Sequence, residues 1–279
     1  MGPAPKLAII AGGGALPIVL AEACAEQNRP FFVARVAGFA DPALDRYEGA
    51  AFGPGEMGAR NAALKAAGCE QVVLAGVVAR PDFSALRFDA HGQALLPKLI
   101  AAAGRGDDAL LRVLVADFEE AGFQVLGAHE AAPALLIAAG ALGAHAPDAR
   151  AEADIAKAAA IAAALGPWDI GQGLVVCDGL VLAVEAQEGT DRMLERVAAL
   201  PRTVRGAPDA RRGVLLKRPK PQQERRVDLP TIGVETLERA AAAGLAGIAV
   251  EAGGALVLAK DALAQRADAL GLFVFGFAP

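Results

Sequence analysis

Short apolar runs without charge recur along this chain, and a longer stretch of helix-forming residues lies between most of them. The pattern opens at residues 6–11 (K-L-A-I-I-A), which predict a buried parallel strand. Gly12-Gly13-Gly14 follows as a tight turn, residues 16–27 read as a helix and 30–36 as a second strand. This is a βαβ opening with a glycine turn at the first helix N-terminus, where free amides bind phosphate. The same glycines also serve close packing of turn against strand. Further on, 59–67 predicts helix, 71–74 strand, 95–103 and 109–122 helix, and 123–126 strand. Asp107 and Asp108 stand where a helix starts, as N-terminal caps or as ligands.

A connector follows with Pro133, then an expected Ala-rich helix and Pro147, after which 149–165 is strongly helical by propensity. Residues 174–177 and 180–185, joined through Gly179, predict a hairpin-like strand pair. Glu185-Ala186-Gln187-Glu188-Gly189-Thr190-Asp191 then leads into a helix over 192–200. That corner offers three carboxylates and a hydroxyl, suited to magnesium or to hydroxyl binding, and Thr190 or Asp191 serves equally as a helix cap. Strands over 214–216, 247–251, 255–258 and 272–277 alternate with helices over 235–243 and 260–270. The fold class is therefore α/β, with a Rossmann-like parallel-sheet domain over 1–130, a connector over 131–148 and a second α/β domain over 149–279.

Composition narrows the class. Hydrophobic residues make up 54% and aromatics 5%, so the core must be built of Ala, Leu and Val. Cys24, Cys69 and Cys177 are odd in number, widely spaced and without C-x-x-C, which argues against a disulfide framework or structural zinc and fits a reducing cytoplasm. The uncharged run over 7–21 holds three glycines and Pro17, which break the helix an export signal needs. Neither it nor the run over 131–144 reaches the ~18–20 residues of a spanning helix. The chain is expected to be soluble or peripheral.

Charge brings in the chemistry. Between Arg202 and Arg226 nine Lys/Arg face only Asp209 and Glu224, a local balance of +7 in a chain whose formal net charge is −5. The strand at 214–216 runs into Lys217, Arg218, Lys220, Arg225 and Arg226, with Pro219 and Pro221 excluding a helix, and ends on Asp228-Leu229-Pro230. Cations on a stiff loop at a strand end suit a polyanion, and Asp228 stands at the mouth of the cradle. A non-catalytic protein of anionic lipid or nucleotide would use the same basic loop, as would a nucleic-acid binder. A dinucleotide oxidoreductase is disfavoured because Pro17 replaces the third glycine of G-x-G-x-x-G and Arg35, not an acid, follows the second strand. There is no G-x-x-x-x-G-K-[ST] and no G-x-S-x-G, and His91, His129 and His145 stand apart from one another.

Six ordered motifs carry a resemblance across nearly the whole chain. They are I-A-G-G-G-A-L-P (10–17), A-G-V-V-A-R-P (75–81), G-D-D-A-L-L-R (106–112), I-G-Q-G (170–173), A-V-E-A-Q-E-G-T-D-R-M (183–193) and V-L-L-K-R-P-K-P-Q-Q-E-R-R-V-D-L-P-T-I-G (214–233). With them the chain resembles the cytoplasmic UDP-2,3-diacylglucosamine pyrophosphatases of the LpxI type, which act in lipid A biosynthesis; Glu224 departs from the family pattern, which has Asp after the Gln. The resemblance implies hydrolysis of UDP-2,3-diacylglucosamine to UMP and 2,3-diacylglucosamine 1-phosphate with a divalent cation, usually magnesium (Mg2+), and Asp228 as the catalytic acid. It implies a lipid-linked nucleotide sugar as substrate, peripheral attachment to the cytoplasmic face of the inner membrane, no nucleic-acid partner, and leaves room for a homodimer. The residues then expected to bind substrate or phosphate are Gly12, Gly13, Gly14, Arg80, Gln172, Thr190, Lys217, Lys220 and Arg226, with Asp191 and Glu188 as candidate metal ligands. Two acyl chains also require an apolar tunnel, expected in the Leu/Val/Ile/Phe-rich second domain.

Overall fold

The computed structural model describes residues 4–79, 83–221 and 223–278. The chain divides into two compact units, 1–133 with 224–228, and 134–223 with 229–279.

In the first unit β1 (Leu7–Ala11), β2 (Phe31–Val36), β3 (Gly49–Phe52), β4 (Gln71–Ala75) and β5 (Gln124–Leu126) form an all-parallel sheet in the order β3-β2-β1-β4-β5. All five residues of β1 are buried, as a central parallel strand covered on both faces requires. The crossover helices are α1 (Leu16–Glu26), α2 (Met57–Ala66), α3 (Ala90–Ala103) and α4 (Asp107–Glu120), and the short α5 (Ala128–Ala131) follows β5. Strand order reverses direction at β1, where β2 lies on one side and β4 on the other, and such a reversal opens a crevice at the carboxyl ends of the strands. Strand β3 has no counterpart in the apolar pattern because G-A-A-F is a half-exposed edge with no continuous apolar run. Helix α3 starts earlier than its apolar residues indicate, because the Asp89 carboxylate accepts the Gly92 amide at 2.8 Å and caps it.

The second unit carries a six-stranded sheet in the order β6-β13-β11-β9-β7-β8. Its strands are β6 (Gly140–Leu142), β7 (Gly173–Cys177), β8 (Leu180–Val184), β9 (Val214–Lys217), β11 (Gly247–Glu251) and β13 (Phe273–Phe277); a separate two-stranded ladder joins β10 (Thr231–Ile232) to β12 (Leu256–Val257). The centre is parallel, while β6 and the β7–β8 hairpin run antiparallel at the edges. The hairpin closes through Asp178 and Gly179, both at positive φ, and the buried Asp154 carboxylate of α6 (Ala149–Leu165) accepts both of their amides, at 2.9 and 2.7 Å. α7 (Gly189–Ala198), α8 (Val234–Ala242) and α9 (Lys260–Leu270) bury Val197, Leu237 and Leu263 against one face of the sheet, with Ile248 and Val274. α6 buries Ile155 and Ala158 with Leu174, Leu216 and Ala249 of the other face. Among the described residues no helix is long and apolar enough to cross a membrane.

Candidate functional site

The segment 224–228 is held to the first unit by helix α4. The Asp108 carboxylate accepts the Glu224 amide at 2.8 Å, and Glu119, almost at the other end of the helix, accepts from Arg226 Nη1 at 2.7 Å. The other nitrogens of Arg226 close on Glu224, Nε to Oε1 and Nη2 to Oε2, both at 3.0 Å. Two carboxylates thus hold the Arg226 guanidinium well above its ordinary pKa, and the Arg226 hydrogen bonds hold Glu224 below the usual carboxylate range. The amides of Val227 and Asp228 both return to the Glu224 carbonyl, at 3.1 and 3.2 Å, so the segment is a closed turn. Val227 packs on the core of the first unit beside Phe118 and Leu74.

This turn places Asp228 on the wall of a cavity of about 370 Å³ in the first unit. The rest of the wall is largely apolar, including Val36, Phe52, Leu74, Phe88, Leu110 and Leu114, and among the described residues the charged side chains on it are Asp228, Asp107, Arg60 and Arg35. The cavity also reaches Gly12, Gly76 and Val77, at the ends of β1 and β4 where strand order reverses. Arg60 was not anticipated. It lies early in α2, where an arginine reads as a solvated helix residue, and only its distant partner Asp117 marks it as buried.

The glycine turn has a different role from the expected phosphate cradle at two of its three positions. The Gly12 amide donates to the Ala75 carbonyl and the Gly13 amide to the Val77 carbonyl, both at 2.8 Å, so neither is offered to a phosphate. A Cβ on Gly12 would stand 2.8 Å from the Val77 carbonyl oxygen, which makes glycine there a condition for the two loops to meet. Gly14, at φ +85°, has no backbone acceptor for its amide among the described residues. Arg226 likewise fastens the loop, since all three of its guanidinium nitrogens are engaged by carboxylates. Arg80 lies outside the described residues.

Within the second unit Thr190 and Lys217, 27 positions apart, meet: Lys217 Nζ donates to Thr190 Oγ1 at 2.7 Å, and that hydroxyl donates to Glu185 Oε1 at 2.8 Å. Lys217 is 7% exposed and Glu185 9%, a short buried chain from cation to carboxylate. Gln172 and Lys220 line one small indentation with Arg218, and Lys220 also pairs with Asp169. The metal candidates do not converge. Glu188 pairs with Arg196 at 2.5 Å and Asp191 with Arg239 at 3.3 Å, and among the described residues there is no group of three or more His, Cys, Asp or Glu able to hold an ion. Cys24, Cys69 and Cys177 are free and buried.

Comparison with known proteins agrees with this architecture. Residues 6–135 match the family model described as the LpxI N-terminal domain, and residues 138–275 the one described as the LpxI C-terminal domain. The chain is 57% identical over 274 residues, covering 98% of each protein, to the UDP-2,3-diacylglucosamine pyrophosphatase LpxI of Caulobacter vibrioides, and is thus a homologue of that protein rather than the same sequence.

Proposed function

We propose a function from one premise: this chain belongs to the LpxI family. It hydrolyses the pyrophosphate of UDP-2,3-diacylglucosamine to UMP and 2,3-diacylglucosamine 1-phosphate, a step of lipid A biosynthesis. The observation that carries the reading is the position of Asp228, a carboxylate held by a closed turn on the wall of a largely apolar cavity.

A diacylated nucleotide sugar needs both properties in one place. A methylene occupies about the volume of a water molecule in the liquid, roughly 30 Å³, so a cavity of about 370 Å³ has room for one acyl chain. Burying each methylene is worth ~0.8 kcal/mol. The acyl pocket is accordingly assigned to the first unit, not to the second where composition alone puts it. With the chain seated, Asp228 accepts a proton from water as the water oxygen bonds to one phosphorus; the bond from that phosphorus to the bridging oxygen breaks, and its electron pair leaves on the departing phosphate. The clamp of Glu224, Arg226, Glu119 and Asp108 keeps the carboxylate in place through this exchange.

Magnesium fits the cavity better than the Glu188 and Asp191 corner. Asp228 and Asp107 share its wall, and a magnesium ion is commonly held by one or two carboxylates together with substrate phosphates. Those two residues would hold it, and it would supply neutralisation of the pyrophosphate charge. In the second unit Lys217, Lys220, Gln172 and Thr190 are proposed contacts for anionic oxygens of the substrate, and Gly14 is proposed in the first. The acylated substrate supports a reaction at a membrane surface, proposed here as the cytoplasmic face of the inner membrane with the protein attached peripherally.

The test is Asp228→Ala. The variant is expected to fold, to bind substrate and to lose kcat by on the order of 10²–10⁴-fold. Wild-type turnover in the folded variant would remove Asp228 from the mechanism, and joint loss of thermal stability and binding would make it a structural residue.

A further inference from the structure

Arg60 is an unusual residue to find on the wall of an apolar cavity. Its side chain is 12% exposed, and that of its partner Asp117 is 2% exposed. Nε and Nη2 donate to Asn61 Oδ1 at 3.1 and 3.0 Å, and Nη2 also reaches Asp117 Oδ2 at 3.1 Å. The guanidinium carbon, Cζ, lies over the Phe118 ring, 4.1 Å from its centroid. Asp117 is held in turn, with Asn61 Nδ2 at 3.4 Å from Oδ2 and His91 Nε2 at 2.5 Å from Oδ1. Three faces of the guanidinium are therefore fixed, and among the described residues nothing accepts from Nη1.

Such a pair is not explained by stability. A buried ion pair contributes no more than apolar residues of similar volume would, and often less, because both charges lose their hydration. Burial lowers the Arg60 pKa to about 10 while Asp117 opposes the shift, so the group is still a cation at neutral pH. Arg35, the other cation on the wall among the described residues, is engaged on two nitrogens: Nε pairs with Asp45 at 3.1 Å and Nη1 donates to the Leu44 carbonyl at 3.4 Å. Arg60 brings to this wall a fixed cation with a donor nitrogen that no described residue engages.

Building on the function proposed above, we propose that Arg60 binds a phosphoryl oxygen of the acylated half of the substrate, with Asp117 as the residue that positions it. The acylated half is the one concerned because Arg60 and the apolar wall that receives an acyl chain belong to the same cavity. An immobilised fork with one open nitrogen binds one oxygen in a fixed direction without reorganising.

The experiment compares binding of the two products, measured calorimetrically: 2,3-diacylglucosamine 1-phosphate in detergent micelles, and UMP. Wild type is compared with Arg60→Met, Arg60→Lys and Asp117→Asn, with circular dichroism as the check of folding. Arg60→Met is expected to weaken the acylated phosphate by about tenfold or more and to leave UMP within about twofold. Asp117→Asn is expected to move the same product in the same direction by less. Should Arg60→Met fail to fold, Arg60→Lys decides, since it keeps the charge and loses the fork; it is expected to weaken the acylated phosphate alone. Unchanged affinity for that product in a folded variant, or an equal loss for both products, overturns the proposal. If wild type hydrolyses UDP-2,3-diacylglucosamine and the Arg60 variants bind normally, this inference alone falls. If wild type does not hydrolyse it, the functional reading falls first and the inference with it.

Discussion

An acyl pocket of fixed volume should act as a ruler. At roughly 30 Å³ per methylene, about 370 Å³ admits at most roughly a dozen, and fewer with the phosphate seated in the same cavity. Each methylene moved from water into the cavity is worth ~0.8 kcal/mol, which is about fourfold in kcat/KM at 1.36 kcal/mol per decade. The assay uses substrates in which one acyl chain is shortened in steps while the other stays short, all kept below the critical micelle concentration so that water is the reference state. A plot of log kcat/KM against chain length is expected to rise by about fourfold per methylene and to flatten at or before about a dozen carbons. Leu110 lines the wall, so Leu110→Trp is expected to move the break to shorter chains without changing the slope below it. A flat plot would refute an acyl pocket at this position. A rise that continued unbroken well beyond a dozen carbons would refute the volume argument, because the chain would then be held elsewhere.

Acid should loosen the Asp228 turn. Arg226 holds Glu224 below its ordinary pKa of 4.5, so the stability this carboxylate contributes is fully present above that value and is lost as pH falls through the lower, folded one; Arg226→Gln is expected to flatten the acid limb of a thermal-stability profile, and an unchanged profile would mean the clamp adds nothing. In the second unit, Thr190→Val removes the acceptor of the buried Lys217 ammonium and is expected to cost about 1–3 kcal/mol in urea unfolding; a loss below about 0.5 kcal/mol would show that water replaces the hydroxyl there.

Much of the fold was legible because its signals are local. The helices over 149–165 and 260–270 and the strand over 247–251 are found at the residues their apolar patterns mark. The prolines and the apolar strand before Lys217 identify a non-helical loop leaving a sheet, and Asp228 stands out within it as an acid among cations. Strands β3 and β6, the second standing where an Ala-rich helix was expected, escaped because each is an edge of three or four residues, defined by the strand it pairs with and not by its own pattern.

Tertiary structure decided what the charged residues and the turn glycines do. Arg226 reads as a phosphate ligand from its neighbours in sequence, yet Glu119, 107 positions away, engages it, and the segment it anchors belongs to the first unit. Gly12 and Gly13 read as free amides until the Ala75 and Val77 carbonyls are brought against them. Arg60 reads as a solvated helix residue until Asp117, 57 positions on, draws it into the cavity wall that Asp228 shares. Apolar periodicity reports burial over a few residues at a time, so sequence alone determined most of the elements and the acid to suspect. The work of a guanidinium or an amide depends on which distant acceptor reaches it first, and only the packed chain determines that.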